Sequence, residues 1–310
     1  MRKVALITAS ASGLAVAFSR QLAQDGFNLV LNYRKNKSGC EQLAQTLEHH
    51  YAIDTLVHQA DMTQKQDIEQ LVDATKEHFG RIDILIHSAG PFIFQRKRLT
   101  EYADHEWGEM IDGNLTSAFY LFRKIIPLMR PHGFGRIVTI GFDRIEQAPG
   151  WGYRSAYAAA KVGLASLTKT VAIEERENGI TANMICPGDI RGAKKEAPMP
   201  LLQMEGYRTP VGGDLAAMIS FLVKPEARFV TGNILSLTNG EDVLGHYDSG
   251  KKEVFDPIAF EIGTMVYVLP WNKVATVTDR LDRVNRRSLY TVQTADQEAQ
   301  FTVDQLEELT

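Results

Sequence analysis

What most constrains this chain is an alternation. Short apolar runs of four to six residues are each followed by a longer stretch with helical periodicity, from the N-terminus to about residue 240. The runs lie at residues 4–8, 29–32, 55–59, 82–87, 136–140, 181–186 and 233–237. Most are apolar throughout, the pattern of strands buried on both faces. Parallel strands need crossovers of a dozen or more residues, and the intervening stretches are long enough to supply them as helices. Capping-box spacing predicts helix starts at Ser38/Glu41 and Thr63/Gln66, and glycines predict stops at Asp25-Gly26, Phe79-Gly80 and Asn178-Gly179. No period of 20–50 residues repeats, which excludes a solenoid. The expected fold class is α/β, a doubly wound parallel sheet with helices on both faces.

At the start, Arg2 and Lys3 precede an apolar stretch from Val4 to Phe18, which resembles a secretory leader. The βαβ pattern continues behind it without interruption, so a first strand, turn and helix is the preferred reading. The 310 residues suffice for one large α/β domain and a small second one, and the net charge of −4 offers no bulk attraction to nucleic acid or an anionic membrane. No apolar run is long enough to span a bilayer. Cys40 and Cys186 match no metal spacing and read as reduced thiols, which predicts a cytoplasmic protein without a metal.

The character of the chain changes after about Gly250. Short β-like runs at residues 264–269, 273–278, 288–293 and 298–302 are separated by turn-prone pieces such as Pro270-Trp271-Asn272 and Thr294-Ala295-Asp296. Residues 1–250 are expected to form the main domain and residues 256–310 a small β-rich module. The wording Phe260-Glu261-Ile262-Gly263, a strand, then Val268-Leu269-Pro270-Trp271 resembles SH3-like barrels. Such a module either packs and assembles or binds a partner.

After the first strand comes Thr8-Ala9-Ser10-Ala11-Ser12-Gly13-Leu14-Ala15. A turn of small residues there lets a dinucleotide diphosphate approach the backbone and the helix N-terminus. At the end of the second strand stand Asn32-Tyr33-Arg34-Lys35, with no acid before Glu41. Basic residues at that place suit a ribose 2′-phosphate, which points to NADP(H) with Arg34 as the selector and Lys35 in support. The alternative is a pair of solvated loop cations.

The strongest motif is Tyr157-Ala158-Ala159-Ala160-Lys161, whose spacing puts both functional side chains on one helix face. A neighbouring ammonium stabilises a phenolate, so Lys161 is expected to lower the proton affinity of Tyr157 toward that of a working acid. With the turn, this motif makes residues 1–245 resemble the short-chain dehydrogenase/reductase family, whose fold is of the Rossmann type. That family usually has T-G-x-x-x-G-x-G at the turn, so Ala9 and Ala15 stand where it has glycine. His87-Ser88-Ala89-Gly90 resembles the family's N-N-A-G, and Asn114 its helix asparagine, which holds a relay water. Pro187-Gly188 resembles the motif beside the nicotinamide, and Thr231-Gly232-Asn233 with Asn239-Gly240 the closing strand. The resemblance implies cofactor contacts at Thr8, Ser10, Ser12, Gly13, Leu14, Asp61, Met62, Ser88, Ala89, Gly90, Pro187, Gly188 and Ile190. It implies catalysis by Tyr157, Lys161 and Asn114.

One departure matters. The family places a serine about a dozen residues before the tyrosine, and here no Ser or Thr occurs from Ile140 to Arg154. Either Asp143 takes its place or the polar partner is missing. Pteridine reductases of the family use an aspartate there and a stacking phenylalanine soon after the N-A-G-like motif, where Phe92 falls. Phe92 and Tyr153 are the candidate substrate contacts.

The loop of residues 189–213, with Met199, Leu201, Leu202 and Met204, is expected to cover the substrate as a lid, or to form an ordinary packed helix. Arg96-Lys97-Arg98 and Lys194-Lys195 would rim the site and could attract an anionic substrate or an acyl carrier protein. The resulting expectation is an NADPH-dependent reductase of a small carbonyl or imine compound, a 3-oxoacyl thioester or a pterin-like molecule. The other reading is a non-catalytic NADP(H)-binding relative acting as an interaction protein. The resemblance also implies a homodimer or homotetramer.

Overall fold

The computed structural model describes residues 2–199, 210–240, 243–244, 260, 265–271, 273–281, 289–294, 296–302 and 306–308. The chain divides into two compact units, Met1–Leu244 and Gly245–Thr310.

The first unit is built on seven strands: β1 (Val4–Ile7), β2 (Asn28–Tyr33), β3 (Thr55–Gln59), β4 (Ile84–His87), β5 (Gly135–Ile140), β6 (Ile180–Pro187) and β7 (Ile234–Leu237). They form one parallel sheet in the order β3-β2-β1-β4-β5-β6-β7. The order reverses between β1 and β4, and in such sheets ligands bind at the carboxyl ends of the strands beside that reversal. The helices are α1 (Leu14–Gln24), α2 (Lys37–Tyr51), α3 (Lys65–Phe79), α4 (Asp104–Ile111), α5 (Ser117–Met129), α6 (Ser155–Glu174) and α7 (Gly212–Leu222).

The period of two along each strand sends side chains to opposite faces, and two cores result. Val4 and Leu6 pack with Val30, Leu85 and Ile137 under α3, α5 and α6. Ala5 and Ile7 pack with Leu29, Leu31, Ile84 and Ile86 under α1, α2 and α7. Strands covered on both sides must be apolar throughout, which explains the unbroken runs in the sequence.

Two predicted helix starts are corrected. The Asn36 side chain accepts the Gly39 N–H at 3.0 Å, so α2 begins at Lys37 and Ser38 lies inside its first turn. Helix α3 begins at Lys65, after Asp61 has taken the Thr63 N–H and hydroxyl at 2.9 Å each. In both cases an Asn or Asp side chain upstream fixes the turn before the predicted cap can act.

The second unit is a small antiparallel sheet of five strands: β8 (Met265–Val268), β9 (Lys273–Leu281), β10 (Leu289–Gln293), β11 (Glu298–Thr302) and β12 (Leu306–Glu308). Their order is β11-β10-β9-β8-β12, so the last strand returns beside the first. Its core holds Phe260, Val266, Val268, Val277, Tyr290, Val292 and Phe301. The edge-on rings of Trp271 and Phe301, 4.9 Å apart, close one side of it. Strand β12 was not foreseen in the sequence, where three residues carry too little pattern.

Candidate active site

The site is assembled where β1, β4, β5 and β6 end. At β1 the chain enters the turn through Thr8, and Ala9 takes a left-handed φ of 57°. A side chain pays about 1 kcal/mol or more for this conformation. The Ala9 N–H donates to Asn32 Oδ1 at 3.1 Å, which helps to hold it. The turn therefore keeps a glycine-like bend without the glycine. Gly13, at φ 68° and ψ −146°, caps α1, and Ala15 is buried in its first turn. Ser10 is buried with its hydroxyl committed to the Ile7 carbonyl at 2.6 Å, while Ser12 is exposed and Leu14 half-buried at the turn's rim.

Arg34 and Lys35 are exposed at the end of β2. Arg34 Nη1 lies 3.8 Å from Asp61 Oδ2, which follows β3, and Met62 is buried behind. The candidate selector Arg34 and the candidate cofactor contact Asp61 are thus neighbours past adjacent strands.

Past β4, the Thr8 hydroxyl oxygen accepts the backbone N–H groups of Ser88 and Ala89 at 3.0 and 2.9 Å. This ties the phosphate turn to the segment leading to Gly90. A Cβ on Gly90 would fall 2.2 Å from Asn114 Oδ1 and 3.2 Å from Lys161 Nζ, so only glycine lets these groups converge. Asn114 sits in a π-helical turn, Asp112–Thr116, between α4 and α5. Such turns often occur at functional sites because they re-aim a side chain. Its amide donates to the Pro91 and Met110 carbonyls at 3.0 Å each, and its Oδ1 is buried with no partner.

Tyr157 and Lys161 lie one turn apart near the start of α6. Lys161 is buried, donates to the Ile140 carbonyl at 2.9 Å and stands 5.8 Å from the Tyr157 ring centroid. Burial brings the Lys161 ammonium down to about 8 and pushes the Tyr157 phenol up from its ordinary value. The direction is opposite to the expected lowering of Tyr157; burial is its largest cause, and the Lys161 amine is held by the Ile140 carbonyl.

Asp143 is buried, but its carboxylate accepts the Val243 N–H at 3.0 Å and lies 4.0 Å from Arg144. Its neighbour Phe142 is the residue packed toward Tyr157, at 6.1 Å between ring centroids. Phe92, at 4.9 Å, and Trp151, at 5.9 Å, complete an aromatic wall around the phenol. Sequence reasoning missed Phe142 and Trp151; the aromatic residues on both sides of Asp143 were the available signal. Arg154 braces the wall by donating to the carbonyls of Ile93, Phe94 and Gln95 at 2.6–2.7 Å. Tyr153, exposed at a positive φ, lies under Arg96 and lines a cleft of about 710 Å³ with Trp151 and Leu99. Lys97 is neutralised by Glu106.

At the end of β6, the Gly188 N–H donates to the Leu237 carbonyl at 3.1 Å and Ile190 is buried beneath. Cys186 and Cys40 are buried free thiols pushed up to about 12 by burial, hence unreactive. Of the lid, Leu201, Leu202 and Met204 lie outside the described residues. Among those described, no group of His, Cys, Asp or Glu side chains could hold a metal. No helix among them is long and apolar enough to cross a membrane.

These residues fit a nicotinamide dinucleotide: a glycine-opened cradle at Gly90, an unpartnered acceptor at Asn114 and a helix N-terminus behind a bent turn. The comparisons agree with the geometry. Residues 8–241 match the family model described as Enoyl-(Acyl carrier protein) reductase. YtkK of Bacillus subtilis (strain 168), which carries an oxidoreductase assignment, is 45% identical over 248 residues, covering 77% of this chain and 96% of its own. D-beta-hydroxybutyrate dehydrogenase of Rhizobium meliloti (strain 1021) is 31% identical over 259 residues, covering 77% and 98%. A solved structure assigned as a 3-oxoacyl-reductase of Bacillus thuringiensis superposes with a TM-score of 0.74 at 44% identity, covering 79% of this chain and all of that one. The chain belongs to the short-chain dehydrogenase/reductase family of nicotinamide-dependent oxidoreductases.

Proposed function

We propose that this protein is an NADPH-dependent reductase of a small carbonyl or imine compound. The observation that carries the reading is the convergence on Gly90 of Lys161 Nζ and the orphaned Asn114 Oδ1, one helical turn from the Tyr157 phenol. When bound, the nicotinamide supplies the hydride. Tyr157 delivers a proton from its hydroxyl to the substrate heteroatom. Lys161 supplies the positive charge that offsets the upward push of burial on that phenol. Asn114 Oδ1 holds the water through which the phenol is reprotonated. Arg34 selects the 2′-phosphate.

Within this reading, a 3-oxoacyl thioester is supported by the likeness to the Bacillus thuringiensis structure, and an acyl-carrier-linked substrate in general by the family model. A flat pterin-like compound is supported by Phe92 beside Tyr157. Delivery by an acyl carrier protein to the basic rim, assembly as a homodimer or homotetramer, a cytoplasmic location and a catalytic domain of residues 1–250 with a module of residues 256–310 belong to the same proposal.

The test is a screen of 3-oxoacyl, simple ketone and pterin substrates with NADPH, run on the wild type and on Tyr157→Phe. The substitution is expected to lower turnover by about 10²–10⁴-fold while sparing NADPH binding. Retained turnover would overturn the mechanism. The lack of a Ser or Thr from Ile140 to Arg154, with Phe142 packed toward the phenol, favours the second reading, a non-catalytic relative. Binding of NADPH with no turnover of any substrate would establish that one.

A further inference from the structure

A residue that follows β6 reaches the phosphate turn. The Gly13 N–H donates to Glu196 Oε1 at 2.8 Å. This N–H opens α1, where backbone donors and the helix dipole favour an anion.

The carboxylate arrives on a strap, residues 192–199, that is anchored along its length. Arg20 of α1 donates to the Glu196 carbonyl at 3.0 Å, and the Gly213 N–H to the Ala197 carbonyl at 2.9 Å. Two glycines at the start of α7 make room for it. A Cβ on Gly212 would fall 1.8 Å from the Lys195 carbonyl oxygen, and one on Gly213 would fall 2.0 Å from the Met199 nitrogen. The stem of Lys195 also borders the turn, with Cδ 3.8 Å from where a Gly13 Cβ would stand. Both Lys195 and Glu196 are half-buried.

We propose that Glu196 is a built-in stand-in for the cofactor diphosphate, and so a determinant of cofactor affinity. Its carboxylate satisfies the anion-binding turn until NADP(H) displaces it, and Lys195 then remains beside the turn to neutralise the diphosphate. An anion must leave before another enters, because two cannot share one donor at hydrogen-bond distance. The inference rests on the reading of this turn as the dinucleotide site.

The test is a fluorescence titration of the full chain with NADPH, repeated for Glu196→Ala, Glu196→Gln and Lys195→Ala, with inorganic pyrophosphate as a competing probe. Glu196→Ala is expected to tighten NADPH about tenfold and to raise the potency of pyrophosphate in parallel. Glu196→Gln, which keeps the shape and loses the charge, should fall between it and the wild type. Lys195→Ala should weaken both ligands. Unchanged or weaker binding in Glu196→Ala would overturn the proposal, while binding of neither ligand by any form would overturn the dinucleotide reading itself.

Discussion

Thr8 Oγ1 and His87 Nδ1 lie 3.2 Å apart, and the bond between them settles which ring nitrogen of a fully buried histidine carries the proton. The Thr8 oxygen already accepts two backbone N–H groups, so its own proton goes to Nδ1. The other nitrogen, Nε2, then donates to Ser117 Oγ at 3.1 Å, and Ser117 to the Gly113 carbonyl at 2.9 Å. One neutral imidazole thus links the phosphate turn to the turn that carries Asn114.

Burial first, and then the Lys161 charge, lower His87 to about 3. Between that value and the ordinary 6.5, the unfolded chain takes up a proton that the folded one refuses. Stability should therefore fall as pH drops from about 6.5 toward 3, by about 1 kcal/mol per pH unit from this group. In His87→Gln, whose amide can accept from Thr8 and donate to Ser117, that slope should flatten. Urea unfolding at several pH values checks it.

Lys161 at about 8 sets a second limb. The proposed reduction needs the ammonium, so kcat/KM should decline as pH rises through about 8. Lys161→Met should lose about 10²–10³-fold of the activity and, with it, that alkaline decline. A pH–rate profile of both forms is the measurement.

Arg34 is exposed and steadied by Asp61. Arg34→Ala should weaken NADPH about tenfold and leave NADH unchanged, since only the former carries the 2′-phosphate. Parallel titrations with the two cofactors test this.

Phe142 packs toward the Tyr157 phenol and offers it no hydroxyl. Phe142→Ser should cost about 3 kcal/mol in unfolding free energy through the cavity it leaves. It should also raise kcat on small ketones by supplying a second donor to the carbonyl oxygen. Thermal denaturation and single-substrate kinetics report the two effects separately.

The sheet was legible in the sequence because strands covered on both faces leave unbroken apolar runs, and every run became a strand. The Tyr157–Lys161 pair was legible because a spacing of four residues is itself geometry on a helix. Ala9 stands where the family has glycine, and the sequence did not show what holds the left-handed bend there, a bond from its N–H to Asn32. Asp143 was chosen by residue type; in the fold it is buried with its carboxylate accepting the Val243 N–H, while its neighbour Phe142 packs toward the Tyr157 ring. Glu196 had no sequence signal, because 183 positions separate it from the amide it binds.

The π-helical turn has a consequence for the long helical run that contains it. A regular helix advances every side chain by about 100° per residue, so its two ends are locked in phase. The wider turn at Asp112–Thr116 breaks that lock. Helix α4, facing α6, and helix α5, facing α3, can each settle against its own neighbour without twisting the other. Asn114 rides on the joint between them. Its aim therefore depends on how many residues the run contains, and deleting a single one would rotate the amide out of the site while leaving every motif intact.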